Sequence, residues 1–299
     1  MRQNDSMNIK MMKTRGLVLL VVLCMIFFHT EAIGATFSYE QGTFGGIALS
    51  YRKAVIGDGN ERPSLVLYLH GGSSRGSDNE AQLLEPGVDS LANYLENHDI
   101  HAVFIVPQCP AGGGWLGSMQ SALKGLIDYE VNKGNINREQ LYLFGGSMGG
   151  TGSWNLLNSY PGLFTAAMPV AGNPSEQNAA NVAQTPVYTV MGTEDRIMNL
   201  GTVRDFVDSL RTYGDEVEFD IEQGWTHENT CIMSYTTQRL DWVFGHQSKN
   251  PETGILEPKS AVERSMAVYN LQGQRMRVSP EELPSGIYIS RGRKFVVRH

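Results

Sequence analysis

A serine stands at the centre of Gly145–Gly146–Ser147–Met148–Gly149, directly after the apolar run Leu141–Phe144 and directly before the helix-like segment Thr151–Tyr160. A G-x-S-x-G between strand and helix lifts the hydroxyl clear of the sheet on a strained turn. The flanking glycines let strand and helix approach closely. The helix start behind the serine presents the Met148 N–H, and a positive dipole end, to a developing oxyanion. Nucleophilic acyl transfer also needs a base, an acid to orient it and a second oxyanion donor. His227, in Gly224–Trp225–Thr226–His227, is the candidate base. Asp195, in Gly192–Thr193–Glu194–Asp195, is the candidate acid. Neighbouring side chains at a strand end point in different directions, so only one of Glu194 and Asp195 can face His227. Asp205, inside a helical pattern, is a weaker rival. The stretch His70–Gly71–Gly72–Ser73–Ser74 offers the second oxyanion N–H, from Gly72 or, as the close alternative, Ser73. His70 itself, at the end of a buried strand, reads as architectural.

These groups need a scaffold, and its elements are visible in the pattern. Alternation and β-branched runs predict strands at Ile47–Val55, Leu65–His70, Ala102–Val106, Leu141–Phe144, Ala166–Val170, Val187–Met191 and Val217–Ile221. Helical spacing predicts helices over Ser118–Lys133, Thr202–Tyr213 and roughly Thr230–Phe244. Strands alternating with helices imply an α/β fold with a mainly parallel sheet and helices on both faces. Runs such as LVLYL and AVFIV are apolar throughout, as strands covered on both faces must be. The nucleophile, acid and base then fall after three different strands, in the chain order Ser…Asp…His.

The 299 residues carry a formal net charge of −7. From Lys259 onward eight basic residues face three acidic ones, so the stretch before it is the acidic part. An acidic catalytic portion repels phosphate backbones, which argues against nucleic acid as a partner. At the N-terminus, Lys13 and Arg15 precede the apolar run Gly16–Phe28, and Ile33–Gly34–Ala35 offers a small-residue cleavage site. Residues 1–35 therefore read as a signal peptide, since the run is too short for a stable membrane anchor. Cys24 lies late in that run, but Leu23 before it is not the small residue lipidation wants. Cys109 and Cys231 remain after cleavage. A disulfide between them is open, and two free thiols are the plainer reading. Residues 36–247 form the catalytic domain. Residues 248–260 are polar with two prolines and read as a linker, and 261–299 as a small β tail.

Taken together, the pattern HGGSS…PQCP…W…GGSMGG…GTED…H resembles the α/β-hydrolase superfamily, over roughly Thr36 to Gln247. It is most similar to the secreted esterase branch of feruloyl and acetylxylan esterases, polyhydroxybutyrate depolymerases and "predicted peptidases". The runs FGGSMGGTGSW and FIVPQCPAGGGW are the more specific elements. The resemblance implies an eight-stranded α/β-hydrolase sheet and a triad of Ser147, His227 and Asp195. It implies Gly72 and Met148 as oxyanion donors, and acyl transfer without cofactor or metal. It suits acetyl or feruloyl esters on plant polysaccharide. Trp115 and Trp225, on loops flanking the site, are the candidate substrate contacts, while Trp154 is expected to pack its helix on the sheet. The alternatives are a polyhydroxybutyrate depolymerase-like esterase and a serine peptidase of the prolyl-oligopeptidase kind. The peptidases usually carry a large propeller or lid, and little precedes the first strand here. The tail, through VYNLQGQ and LPSGIY, resembles Bacteroidetes-type sorting domains, which implies an exported protein in the periplasm, at the cell surface or outside the cell. Oligomeric state is not legible.

Overall fold

The computed structural model describes residues 35–246 except 60 and 215, together with 268–270, 275–276, 286–290 and 293–297. The signal peptide, Cys24 and the linker at 248–260 lie outside those residues, save Ala35. The chain divides into two units, Met1–Pro251 and Glu252–His299.

The first unit opens with the hairpin β1 (Ser38–Phe44) and β2 (Ile47–Ile56). Its two-residue turn is Gly45–Gly46, both at positive φ (54° and 81°), the backbone a tight hairpin requires. There follow β3 (Ser64–Leu69), α1 (Pro86–Asn97), β4 (Ala102–Pro107), α2 (Ser118–Lys133), β5 (Leu141–Gly146), α3 (Met148–Ser159) and β6 (Ala166–Val170). Then come α4 (Ala179–Val182), β7 (Val187–Gly192), α5 (Leu200–Arg211), β8 (Val217–Glu222), α6 (His227–Met233) and α7 (Thr237–Phe244). The eight strands form one sheet in the order β1-β2-β4-β3-β5-β6-β7-β8. It is parallel from β4 to β8, with β2 antiparallel to both its neighbours. This is the α/β-hydrolase fold. Every residue of β3, β4, β5 and β7 is buried, the signature of strands covered on both faces.

Three differences from the sequence reading have physical causes. β1 escaped the pattern because it is an edge strand with polar residues exposed along most of its length. α5 begins two residues early because the Asn199 side chain caps it, accepting the Thr202 N–H at 3.0 Å. The single helix expected over 230–244 is two. The Ser234 carbonyl accepts from the Thr236 N–H (2.9 Å) and from Arg239 Nη1 (3.2 Å), which interrupts the helical ladder there. That break lets Tyr235 bury its ring edge-on against Tyr68 and Phe144.

The second unit contains a four-stranded antiparallel sheet, β9 (Val268–Asn270), β10 (Arg275–Met276), β11 (Gly286–Ser290) and β12 (Arg293–Val297), in the order β10-β9-β11-β12.

Candidate active site

The turn between β5 and α3 places Ser147 at φ 57° and ψ −117°, a region that costs a non-glycine residue on the order of 1–3 kcal/mol. The surrounding structure holds it there. The Ser147 N–H donates to the Val170 carbonyl on β6 (3.0 Å), and the Ser147 carbonyl accepts the Thr151 N–H (3.0 Å). Two residues on, Gly149 admits no side chain, since a Cβ there would lie 1.7 Å from the Leu69 carbonyl oxygen. Met148 is the first residue of α3, so its N–H has no helical carbonyl to bind and is free to serve a ligand.

His227 is the first residue of α6. Thr226 caps that helix reciprocally with Asn229, which fixes the backbone that carries the imidazole. The loop before it is fastened to the turn after β7. The Glu194 N–H donates to the Trp225 carbonyl (3.0 Å), the Thr193 N–H to the Glu222 carbonyl (2.9 Å) and the Gly224 N–H to Thr193 Oγ1 (2.9 Å). The result is a continuous chain of hydrogen bonds. His227 Nε2 lies 2.7 Å from Ser147 Oγ, and His227 Nδ1 lies 2.8 Å from Asp195 Oδ2. The Asp195 side chain is fully buried, and its other oxygen accepts the N–H groups of Ile197 and Met198, both at 2.8 Å. Those bonds hold the carboxylate in one rotamer, so Nδ1 carries the proton and Nε2 is left to accept from the serine hydroxyl. Glu194 is exposed, with its backbone tied to Trp225, and Asp205 is exposed on α5.

Gly72 begins a short 3-10 turn, Gly72–Ser74, immediately beyond β3. His70 is fully buried beneath it. Its Nε2 accepts the Cys109 N–H (2.9 Å), which leaves Nδ1 to donate to the Gly71 carbonyl (2.6 Å). Burial pulls its pKa down to about 4, so the ring is neutral and holds two loops together.

Trp115 corrects an expectation. It does not line the site but is fully buried, its indole N–H donating to the His70 carbonyl (3.0 Å) and its ring packed edge-on to His70. A Cβ at Gly152 on α3 would lie 2.3 Å from Trp115 Cβ, so this tryptophan seals the joint between α3 and the His70 strand end. Trp154 is likewise buried, edge-on to Phe206 of α5. Trp225 is half-buried, with the Arg239 guanidinium 5.8 Å from its ring centre. It lines a groove of about 550 Å3 with Met233, Gln238, Arg239, Asp220 and Glu222. Arg239 is neutralised within that groove by Asp220 (2.8 Å) and Glu222.

Two neighbours of the site carry no motif. Glu85 bonds the turn after β3, and Cys231 Sγ lies 4.0 Å from His227 Nε2. The four-residue spacing of His227 and Cys231 on a helix is the one sequence signal that could have joined them. Burial, with Glu85 and Asp195 nearby, pushes the Cys231 thiol up to about 12, so it is protonated and a poor nucleophile. Cys109 and Cys231 are separate thiols. Among the described residues no cluster of His, Cys, Asp or Glu is arranged to hold a metal ion, and no helix is long and apolar enough to cross a membrane.

The sequence profile of the family described as Phospholipase/Carboxylesterase matches residues 117–239, which include Ser147, Asp195 and His227. Among solved structures, a thermostable esterase superposes with a TM-score of 0.66 at 23% identity, covering 71% of this chain and 63% of its own. The chain thus spans less than two thirds of that esterase. The feruloyl esterase module from Clostridium thermocellum, solved with sinapinate, superposes at 0.55 with 14% identity, covering 69% of this chain and 89% of the module. A puromycin-hydrolysing peptidase of Mycobacterium tuberculosis superposes at 0.56 with 14% identity, covering 72% of this chain and 41% of the peptidase. No curated protein sequence matches at a significant level. With this sheet order the chain has the α/β-hydrolase fold, and over residues 117–239 it is similar to the family described as Phospholipase/Carboxylesterase.

Proposed function

We propose that the chain is an exported serine esterase that cleaves carboxylic esters through an acyl-enzyme on Ser147. One observation carries this reading: the unbroken hydrogen-bond chain from Asp195 through His227 to Ser147, at 2.8 and 2.7 Å. His227 Nε2 takes the Ser147 proton as Oγ attacks the ester carbonyl, while Asp195 stabilises the imidazolium. The oxyanion is held by the N–H of Met148 and that of Gly72. Collapse of the tetrahedral intermediate expels the alcohol, which receives the proton from His227. Water then attacks the acyl carbonyl, giving its proton to the same nitrogen, and collapse breaks the bond to Ser147 Oγ, which takes that proton back as the acid leaves.

The substrate we propose is an acetyl or feruloyl ester on plant polysaccharide. The likeness to feruloyl and acetylxylan esterases supports it, as does the groove beside Trp225, where an aromatic face and polar neighbours suit the sugar of a leaving alcohol. Export is supported by the basic residues and apolar run before Ala35, and by the likeness of the tail to sorting domains.

Acetylated xylan, methyl ferulate, a short-chain nitrophenyl ester and a proline-containing peptide amide, offered in parallel to the purified protein, test the reading. Esterase activity should dominate, and Ser147→Ala should lower turnover by about three orders of magnitude or more and remove fluorophosphonate labelling. Preference for the peptide amide would make the chain a peptidase. Labelling that persists in Ser147→Ala would move the nucleophile elsewhere.

A further inference from the structure

Glu85 occupies the residue before α1, the position from which a shorter side chain such as Asp or Ser accepts the first free N–H groups of the helix. It makes no such bond. Its Oε1 instead accepts the Gly71 N–H at 3.1 Å and the Ser74 hydroxyl at 2.6 Å. One carboxylate oxygen therefore ties the residue just before the 3-10 turn to the last residue of that turn. The tie is set against the nucleophile's own strand. A Cβ at Gly71 would lie 3.3 Å from Glu85 Oε1 and 3.7 Å from the carbonyl oxygen of Gly146, the residue preceding Ser147. From the other side, His70 binds the Gly71 carbonyl. Both the N–H and the carbonyl of Gly71 are thus held, and with its N–H committed to Glu85, the amides at the head of the turn left to meet a substrate oxygen are those of Gly72 and Ser73.

A carboxylate close to this turn can only oppose a developing negative charge, so its use here is to hold and not to stabilise. We propose that Glu85 is the positioning residue of the oxyanion hole, aiming the Gly72 N–H by clamping Gly71 and Ser74. The proposal rests on the serine esterase reading above. A misaimed oxyanion donor is felt in the transition state and hardly in substrate binding, so the effect belongs in kcat.

The test compares wild type, Glu85→Ala and Glu85→Gln in the full chain, with a short-chain nitrophenyl ester as substrate and a boronic acid as tetrahedral mimic. Glu85→Ala should lower kcat by about 10- to 100-fold with KM within about twofold, and weaken boronic acid binding by a similar factor. Glu85→Gln keeps an oxygen able to accept both donors and should recover kcat to within about threefold of wild type. A folded Glu85→Ala enzyme with wild-type kcat overturns the proposal. So does a change confined to KM, a fall in kcat with boronic acid affinity unchanged, or a Gln variant as impaired as the Ala variant. If Glu85→Ala does not fold, Ser74→Ala removes the shorter bond alone and should lower kcat by about three- to tenfold. An unchanged kcat there overturns the proposal as well. Failure of the wild-type chain to label with a fluorophosphonate would instead defeat the esterase reading, and the proposal with it.

Discussion

Gly192 and Trp225 are in backbone contact: a Cβ on Gly192 would lie 2.1 Å from the Trp225 carbonyl oxygen. That carbonyl also accepts the Glu194 N–H. The turn carrying Asp195 and the loop carrying His227 are therefore pressed together at the one point where β7 ends. The separation of acid and base is set by a missing methyl group.

Gly192→Ala should force the two loops apart. Overpacking of this kind costs about 1–3 kcal/mol of stability, and the Asp195–His227 hydrogen bond should lengthen. Turnover is expected to fall at least about tenfold, because small misplacements of catalytic groups are costly. Gly214→Ala, where a Cβ meets nothing within 4 Å, is the control and should leave activity unchanged. Steady-state kinetics and thermal melting of both variants decide it.

Asp195→Asn should nearly abolish turnover, by on the order of ten-thousand-fold as in a comparable triad. Glu194→Gln should cost less than about tenfold, because that side chain is exposed. The opposite ranking would give the orienting role to Glu194.

Trp115→Phe tests whether the buried indole supports the fold or touches substrate. Losing the N–H bond to the His70 carbonyl should destabilise the protein by about 1–3 kcal/mol in urea titration, because a buried acceptor is left unpaired. KM for an aromatic ester should stay unchanged. A rise in KM at unchanged stability would restore Trp115 to the substrate site.

His70 makes stability depend on pH. Its pKa is near 4 in the fold, below its ordinary value of 6.5, mainly because burial disfavours the cation. Between those values the unfolded chain binds the extra proton, so stability rises with pH through that window and is lost as pH falls from 6.5 towards 4. The full contribution is on the order of 3 kcal/mol. Melting temperatures at pH 7 and pH 5 should converge in His70→Gln relative to wild type, whatever the variant's absolute stability. An unchanged difference would mean that His70 is not the group responsible.

What was legible in the sequence was local. The elbow around Ser147 is defined by five consecutive residues and the strand and helix they join. The α2 helix, Ser118–Lys133, follows from apolar spacing within its own turns. The order of the parallel strands' chemistry follows from which residues come after which apolar run. The rest depended on residues far apart in the chain. Glu194 and Asp195 share a turn; the sequence reading favours Asp195, and the clamp from the Glu194 N–H to Trp225 is the tertiary contact that accompanies its burial against His227. Trp115 lies in a glycine-rich loop that reads as exposed, yet the bare surface of Gly152 gives its ring a place to be buried. Glu85 has no motif at all, and its meaning rests on two donors eleven and fourteen residues earlier. Backbone propensity and periodicity act over one or two turns of chain. Which side chains meet at a site is set by packing between strands, and that exists only once the sheet has formed.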